Sequence, residues 1–401
     1  MTISTVRGMK DILPPESSLW VKLEERIRDH FFSRGYREIR TPILEKSELF
    51  VRSIGETTDI VEKEMYTFTD KSGESVTMRP EGTASVVRAF LNGRNQFPDL
   101  PVRLFYLGPM FRHERPQKGR LRQFHQAGAE VLGSQSPLVD AEVLVTLWDL
   151  FESLGVRDVS LELNSLGCPE CRPRYNEALL EFLSLTVDDL CADCRRRYER
   201  NPLRALDCKV PTCVEKTEKA PRILDYLCSE CREHFERVRA ALDSVGVPYA
   251  VNPRMVRGLD YYRRTTFEFL SGELGAQNAV AAGGRYDGLA EMLGSKSPVP
   301  GVGFAIGMER LILILSAEGW GGEEEKLPLF LALQEKSLVD VAFRLKRELE
   351  KQGLRCEIDY EGRSLKSQMR RANRLGAKFV VIFGEDEWGR GVVKVKNMEE
   401  G

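Results

Sequence analysis

One segment constrains this chain more than any other: Phe105-Tyr-Leu-Gly-Pro-Met-Phe-Arg-His-Glu-Arg-Pro-Gln-Lys-Gly-Arg-Leu-Arg-Gln-Phe-His-Gln126, two strand-like runs joined by a very basic turn. Side chains alternate across a strand. Arg112 and Glu114 therefore share a face at the end of the outgoing run, and Phe124, Gln126, Gly128 and Glu130 share a face of the returning one. If both faces look into one pocket, it offers a guanidinium, a stacking ring, an amide and carboxylates. Those groups suit a nucleoside phosphate beside a cationic small molecule. Arg115, Lys118, Arg120 and Arg122 in the turn are poised for polyphosphate or nucleic acid. A solvated hairpin with a charged tip accounts for the charge but not for the alternation.

The rest of the chain divides by pattern. Leu19, Leu23, Ile27 and Phe31 recur at helical spacing behind Pro14 and Pro15, and Gly35 closes that helix. Residues 37–44 read as a strand with Pro42 inside it, which marks an edge, a bulge or a subunit boundary because proline donates nothing to a ladder. Residues 165–250 are cysteine-rich, charged and helical in pattern, whereas strand patterns resume at 265–270 and 302–306, the latter leading into an apolar helix at 308–315. The expected organisation is a catalytic domain, 1–164 and 251–318, interrupted by a helical insertion at 165–250. A linker at 319–326 then leads to a small α/β domain at 327–401. In that last domain, strand patterns at 328–333, 354–360 and 378–383 alternate with helical ones at 338–349 and 364–375.

Composition narrows the function classes. At 401 residues the chain is too long for one ordinary core. No apolar run reaches the ~18 residues of a membrane span, and residues 1–11 lack a signal-peptide core, so a cytoplasmic location is expected. A net charge of −2 means that a nucleic-acid partner must meet local basic patches. Nine cysteines are present, eight of them between Cys168 and Cys231. In a cytosolic protein such a cluster indicates metal binding or reduced thiols rather than disulfides. Cys168-x₂-Cys171, Cys191-x₂-Cys194, Cys208-x₄-Cys213 and Cys228-x₂-Cys231 have spacings that let two thiolates grip a tetrahedral zinc ion. Spacing leaves open the pairing of the pairs, and unoccupied thiols are the competing reading. Cys356 is assigned to the core of the last domain.

The basic hairpin resembles motif 2 of the class II aminoacyl-tRNA synthetases, and Pro42 sits where their motif 1 proline lies at a dimer interface. Gly301-Val-Gly-Phe-Ala-Ile-Gly-Met-Glu-Arg-Leu311 is similar to motif 3, with Arg310 in the first turn of a helix, where the positive helix end helps to bind phosphate. Four more runs narrow the likeness to the histidyl-tRNA synthetase family: Arg79-Pro-Glu-Gly-Thr83, Arg257-Gly-Leu-Asp-Tyr-Tyr262, Ala282-Gly-Gly-Arg-Tyr-Asp-Gly288 and the stretch 51–66. The fold implied is an α+β catalytic domain on an antiparallel sheet, with the helical insertion and a C-terminal α/β anticodon-binding domain.

The resemblance further implies ATP-dependent activation of L-histidine and its transfer to histidine tRNA by a homodimer, with Mg²⁺ escorting the phosphates. Carried over, Glu81, Gly82, Thr83 and Gln126 hold the histidine end of the site. Glu130 and Tyr262 grip the imidazole, and Tyr261 and Tyr286 complete its pocket. Arg112 and Arg257 are the catalytic cations, and Glu114, Arg120, Phe124 and Arg310, with Arg112, bind ATP. Family members continue beyond a strand corresponding to residues 394–401, which leaves open an incomplete C-terminal domain. The alternative is a regulatory paralogue of ATP phosphoribosyltransferase that senses histidine. It is expected to lose the motif 2 and motif 3 arginines and the small domain.

Overall fold

The structure is a computed structural model describing residues 3–55, 58–199, 201–274, 278–321 and 327–400. Most of the linker expected at 319–326 lies outside the described residues, as do Glu56 and Thr57 of the run 51–66. The chain forms two compact units, Met1–Gly321 and Gly322–Gly401.

The first unit is built on an eight-stranded sheet. In spatial order its strands are Arg37–Glu38, Val102–Phe111, Gln123–Leu132, Gly301–Gly307, Ala279–Arg285, Arg263–Leu270, Ser160–Ser165 and Ala250–Val251. Interior neighbours are antiparallel, and only the two edge strands pair in parallel. One face carries the main core. Leu23, Ile27 and Phe31 of the helix Glu16–Ser33, Leu144 and Leu147 of Pro137–Ser153, and Leu311 and Leu315 of Met308–Ala317 pack there on Phe105, Phe267 and Phe304. Each fully buried side chain of this size stabilises by about 1.5–3 kcal/mol. The opposite face takes Tyr106, Met110, Tyr261, Tyr262 and Tyr286 together with Val86 and Phe90 of the helix Thr83–Asn92. Period-two alternation along Val102–Phe111 thus sends Phe105 to one core and Tyr106 to the other.

Residues 37–44 do not form one strand. Arg37–Glu38 joins the large sheet, while Leu44–Lys46 belongs to a three-stranded sheet with Ser75–Met78 and Tyr66–Thr69. Pro42 lies in the crossing between them, and there Arg79 donates to the Thr41 carbonyl and hydroxyl, both at 2.9 Å. A proline cannot continue the ladder, so the chain changes sheets at it.

A buried ion pair ties the sheet to its helices. Arg285 and Asp140 are both fully buried and bonded to each other. Arg285 also donates to the Ser134 carbonyl at 2.8 Å and to Asp287 at 2.9 Å, while Thr265 donates to Asp140 at 2.6 Å. Every partner satisfies another, which is the condition under which a buried pair is tolerated.

The segment between Ser160–Ser165 and Ala250–Val251 is helical, with its own core of Tyr175, Leu179, Leu183, Leu190, Leu206 and Ile223 amid the cysteines. Its last helix, Ser229–Val245, sends Phe235, Val238 and Leu242 into the main core instead.

The second unit is a four-stranded sheet in the order Cys356–Ile358, Leu329–Leu333, Phe379–Phe383, Lys394–Asn397. The helices Val339–Lys351 and Leu365–Arg374 pack on it. Apolar periodicity predicts that Leu365, Met369, Ala372 and Leu375 dock the second helix. Ala372 does so, Leu365 and Met369 are half-buried, and Leu375 is exposed. A polar residue takes part in its place: buried Gln368 accepts from the Leu333 N–H at 2.8 Å and donates to the Leu333 carbonyl at 2.7 Å. Cys356 is buried in this core.

Candidate active site

A cleft of about 280 Å³ opens on the tyrosine-bearing face of the large sheet. Its floor comes from the hairpin Val102–Phe111 and Gln123–Leu132, which pair from Val102 opposite Leu132 to Phe111 opposite Gln123. The outgoing strand ends at Phe111, so Arg112 and Glu114 sit in the turn beyond it, yet both line the cleft with Phe124 and Gln126. Glu81 and Thr83 enter at the start of the helix Thr83–Asn92, and Arg310 enters from the first turn of Met308–Ala317. Arg257, Tyr261 and Tyr262 arrive on the strap that precedes the strand Arg263–Leu270.

Cations gather at one part of the cleft. Arg112 is held by the Pro80 carbonyl at 2.8 Å and lies 5.4 Å from the Phe124 ring. Arg120 is paired with Glu114, and Arg310 donates to the carbonyls of Gly119 at 3.2 Å and Ala279 at 2.5 Å. Burial holds the Arg310 guanidinium below its ordinary range, and Arg120 and Arg112 beside it push the same way. Arg120 is lowered by burial and by Arg112. Guanidiniums crowded together in this way form a site for a polyanion, because bound negative charge offsets their mutual repulsion.

Carboxylates and phenols occupy the other part. Glu81 is buried, accepting from the backbone N–H groups of Thr83 at 2.6 Å and Ala84 at 2.9 Å. Burial raises its carboxyl above the ordinary range against those two bonds. Glu130 lies just behind the cleft wall with Tyr286, receiving bonds from Thr83 at 2.6 Å and Tyr286 at 2.5 Å. Burial pushes it up to about 8 despite both donors. Gly303 makes that position possible, since a Cβ there would overlap the Glu130 carboxylate, and a Cβ on Gly128 would strike the Tyr106 ring. Gln126 Oε1 is buried with no hydrogen-bond partner among the described residues. An orphaned acceptor in a cleft is a place for a ligand N–H. Tyr261 stands between Tyr262 and Tyr286, with ring centroids 4.7 and 5.9 Å away. Gly82 contributes backbone only, packed so closely on Tyr106 that no side chain fits.

Arg257 meets both parts, since it is paired with Glu268 and lies 5.6 Å from the Tyr262 ring. Burial opposes its charge most strongly, but Glu268, Tyr262 and Tyr261 together outweigh that and raise it. Glu268 and Glu309 are pocket residues that sequence reasoning left unassigned. Glu309 accepts from the His125 N–H at 3.0 Å and lies 2.9 Å from its Nδ1, locking the first turn of Met308–Ala317 to the returning strand. Its carboxylate in an otherwise apolar strand-to-helix junction was the available signal. For Glu268, whose partner is set by strand register, there was none.

Away from the cleft, the cysteines form two quartets, one of Cys168, Cys171, Cys228 and Cys231 and one of Cys191, Cys194, Cys208 and Cys213. In each, all Sγ atoms lie within 4.8 Å of one another. The pairs are nested, with the outermost joined to each other and the inner two joined inside them.

The family model for histidyl-tRNA synthetase matches residues 8–311, and that for an anticodon binding domain matches residues 326–401. A histidine–tRNA ligase of Trichlorobacter lovleyi is 54% identical over 402 residues, 100% of this chain and 95% of that protein. That of Geobacter sulfurreducens is 53% identical, over 100% and 96%. The solved structure of the apo histidyl-tRNA synthetase of S. aureus aligns at a TM-score of 0.84 with 38% identity, over 100% of this chain and 96% of that one. A Bacillus halodurans structure described as an ATP phosphoribosyltransferase regulatory subunit/histidyl-tRNA synthetase shares the fold at a TM-score of 0.65 and 19% identity, over 90% and 93%. With a matching family model over most of its length, close relatives from end to end and a cleft lined by Arg112 and Arg120 of the motif 2-like hairpin and Arg310 of the motif 3-like run, the chain belongs to the histidyl-tRNA synthetase family.

Proposed function

We propose that this cleft activates L-histidine with ATP to histidyl-adenylate, and that the chain then transfers histidine to the 3′ end of histidine tRNA. The observation that carries the reading is the meeting, in one cleft, of three mutually repelling guanidiniums with a buried acidic and phenolic lining. Arg112, Arg120 and Arg310 receive the phosphates, with Phe124 stacking on the base and Glu114 orienting Arg120. Glu81, Thr83 and Gln126 hold the α-amino group over the backbone of Gly82. Glu130 and Tyr262 take the two ring nitrogens, with Tyr261 and Tyr286 closing around them. A pocket that pairs both nitrogens leaves buried groups unsatisfied with any other amino acid, a strong discrimination.

The histidine carboxylate attacks the α-phosphate, and negative charge grows on its oxygens as pyrophosphate departs. Arg257, fixed by Glu268, is already in place to neutralise that charge, assisted by Arg112. The family uses ATP with Mg²⁺. Glu114 and Glu268 are oxygen donors of the kind such a hard cation takes, and when bound it neutralises phosphate oxygens.

Residues 1–164 and 251–318 act as the catalytic domain and 327–401 as the anticodon reader, in a cytoplasmic homodimer with the Pro42 region at the subunit boundary. The insertion 165–250 carries structural zinc in its cysteine quartets. A histidine-sensing regulatory role is disfavoured by the retained arginines and the matching anticodon-domain model. Histidine-dependent ATP–pyrophosphate exchange, followed by charging of histidine tRNA, tests the reading, and no exchange with histidine would refute it.

A further inference from the structure

The sulfur spacings of the cysteine quartets are within reach of a single tetrahedral ion each. Tetrahedral zinc with bonds of about 2.3 Å sets its thiolates about 3.8 Å apart. Cys168 lies 3.6 Å from Cys171 and 3.9 Å from Cys228, and Cys191 lies 3.8 Å from Cys208. All eight are free thiols. In each quartet a backbone N–H also points at a sulfur, from Cys228 to Cys171 and from Cys191 to Cys213, both at 3.1 Å. Such bonds stabilise a thiolate ligand.

What the quartets hold in place is the strap 254–262, which carries Arg257, Tyr261 and Tyr262. Arg172 follows Cys171 directly and donates to the Tyr262 carbonyl and, at 3.2 Å, to the Leu166 carbonyl. Arg204, in the short helix Leu203–Leu206 between Cys194 and Cys208, donates to the Gly258 carbonyl at 2.8 Å. Arg254 is bonded to the Thr217 hydroxyl at 2.8 Å, and that hydroxyl donates to the Cys213 carbonyl at 2.7 Å. Each quartet therefore sends one arginine to a carbonyl within the run 257–262. The eight cysteines are interleaved with the small apolar core beneath them, so a metal ion at each quartet would staple the parts of that core that carry those arginines.

We propose that each quartet holds one zinc ion, and that the two ions position the strap 257–262 for histidine activation through Arg172 and Arg204. This rests on the reading of the cleft as the histidine-activating site. Arg172 and Arg204 are positioning residues, since neither lines the cleft. Gly258 adjoins Arg257, so the inner quartet bears on the rate of activation. Tyr262 is the phenol assigned to the imidazole, so the outer quartet bears on histidine binding.

The full chain, purified without chelator, is expected to carry two zinc ions by elemental analysis, and Cys208→Ser with Cys213→Ser to lose one of them. Arg204→Met should retain both ions and lower kcat of exchange about 10-fold with little change in KM for histidine. Arg172→Met should also retain both and raise KM for histidine about 10-fold with a smaller change in kcat. The arginine variants decide the matter even if the cysteine variant fails to fold. A wild-type chain active without metal overturns the proposal, and so do arginine variants with wild-type kcat and KM. A zinc-loaded wild type with no histidine-dependent exchange overturns the cleft assignment instead.

Discussion

Thr83 donates to Glu130 across 2.6 Å inside the wall of the cleft, joining the first turn of the helix Thr83–Asn92 to the returning strand of the basic hairpin. Tyr286 takes the second carboxylate oxygen at 2.5 Å, so Glu130 is held at a fixed depth and angle. A buried acid set in this way meets a cationic or N–H-bearing ring with little reorganisation.

Glu130→Gln should raise KM for histidine by more than about 10-fold while changing KM for ATP far less, because the amide presents one acceptor oxygen where the carboxyl set by Thr83 and Tyr286 presents two. Pyrophosphate exchange at varied histidine and ATP checks it, and equal losses for both substrates would mean general damage.

The same residue gives a pH signature. Its carboxyl rises from an ordinary 4.5 to about 8 in the folded chain, through burial. Between those values the folded state keeps a proton that the unfolded state has released, so this group makes stability fall as pH rises through the window. Glutamine has no such proton. The melting temperature of Glu130→Gln, relative to the wild type, should climb steadily from pH 5 to pH 8. A constant difference would show that Glu130 ionises normally.

Arg257 is expected to act on the transition state. Arg257→Ala should cut kcat of exchange by roughly 10²–10³ with a smaller effect on KM for histidine. Near-normal kcat would reduce Arg257 to a partner of Glu268.

Asp140 and Arg285 should matter for stability rather than chemistry. Asp140→Asn leaves the buried Arg285 charge short of its main partner and should cost about 3–5 kcal/mol, read by denaturant unfolding. Arg285 sits beside Tyr286 in a run that resembles a signature of the family, yet it points at the helix Pro137–Ser153 and away from the ligand groups.

In the second unit, Lys366 and Arg370 project from the helix Leu365–Arg374 beside Lys396, around a shallow apolar depression. Replacing Lys366 and Arg370 together with alanine should leave exchange unchanged. It should weaken tRNA charging and reduce its dependence on salt, since phosphate contacts release counterions. Unchanged charging at every salt concentration would exclude this face from tRNA binding.

The local periodicities were legible in the chain itself. Alternation placed Phe124, Gln126 and Glu130 on one face of a strand, and a 3.6-residue repeat set the buried side of the first helix, because both signals depend only on near neighbours. Motif spacing likewise announced four cysteine pairs that can each grip a metal. Tertiary structure alone decided what those local units meet. Which cysteine pair joins which depends on how the helices between two strands fold back on one another. Arg257 finds Glu268 through the path of the strap, and Arg172 and Arg204 find carbonyls 90 and 54 residues away. Gln368 replaces an apolar contact because the neighbouring strand happens to present a free N–H and carbonyl at Leu333. A linear pattern records which residues can pair, but the choice among partners belongs to the closed chain, where burial makes an unpaired group too costly to leave.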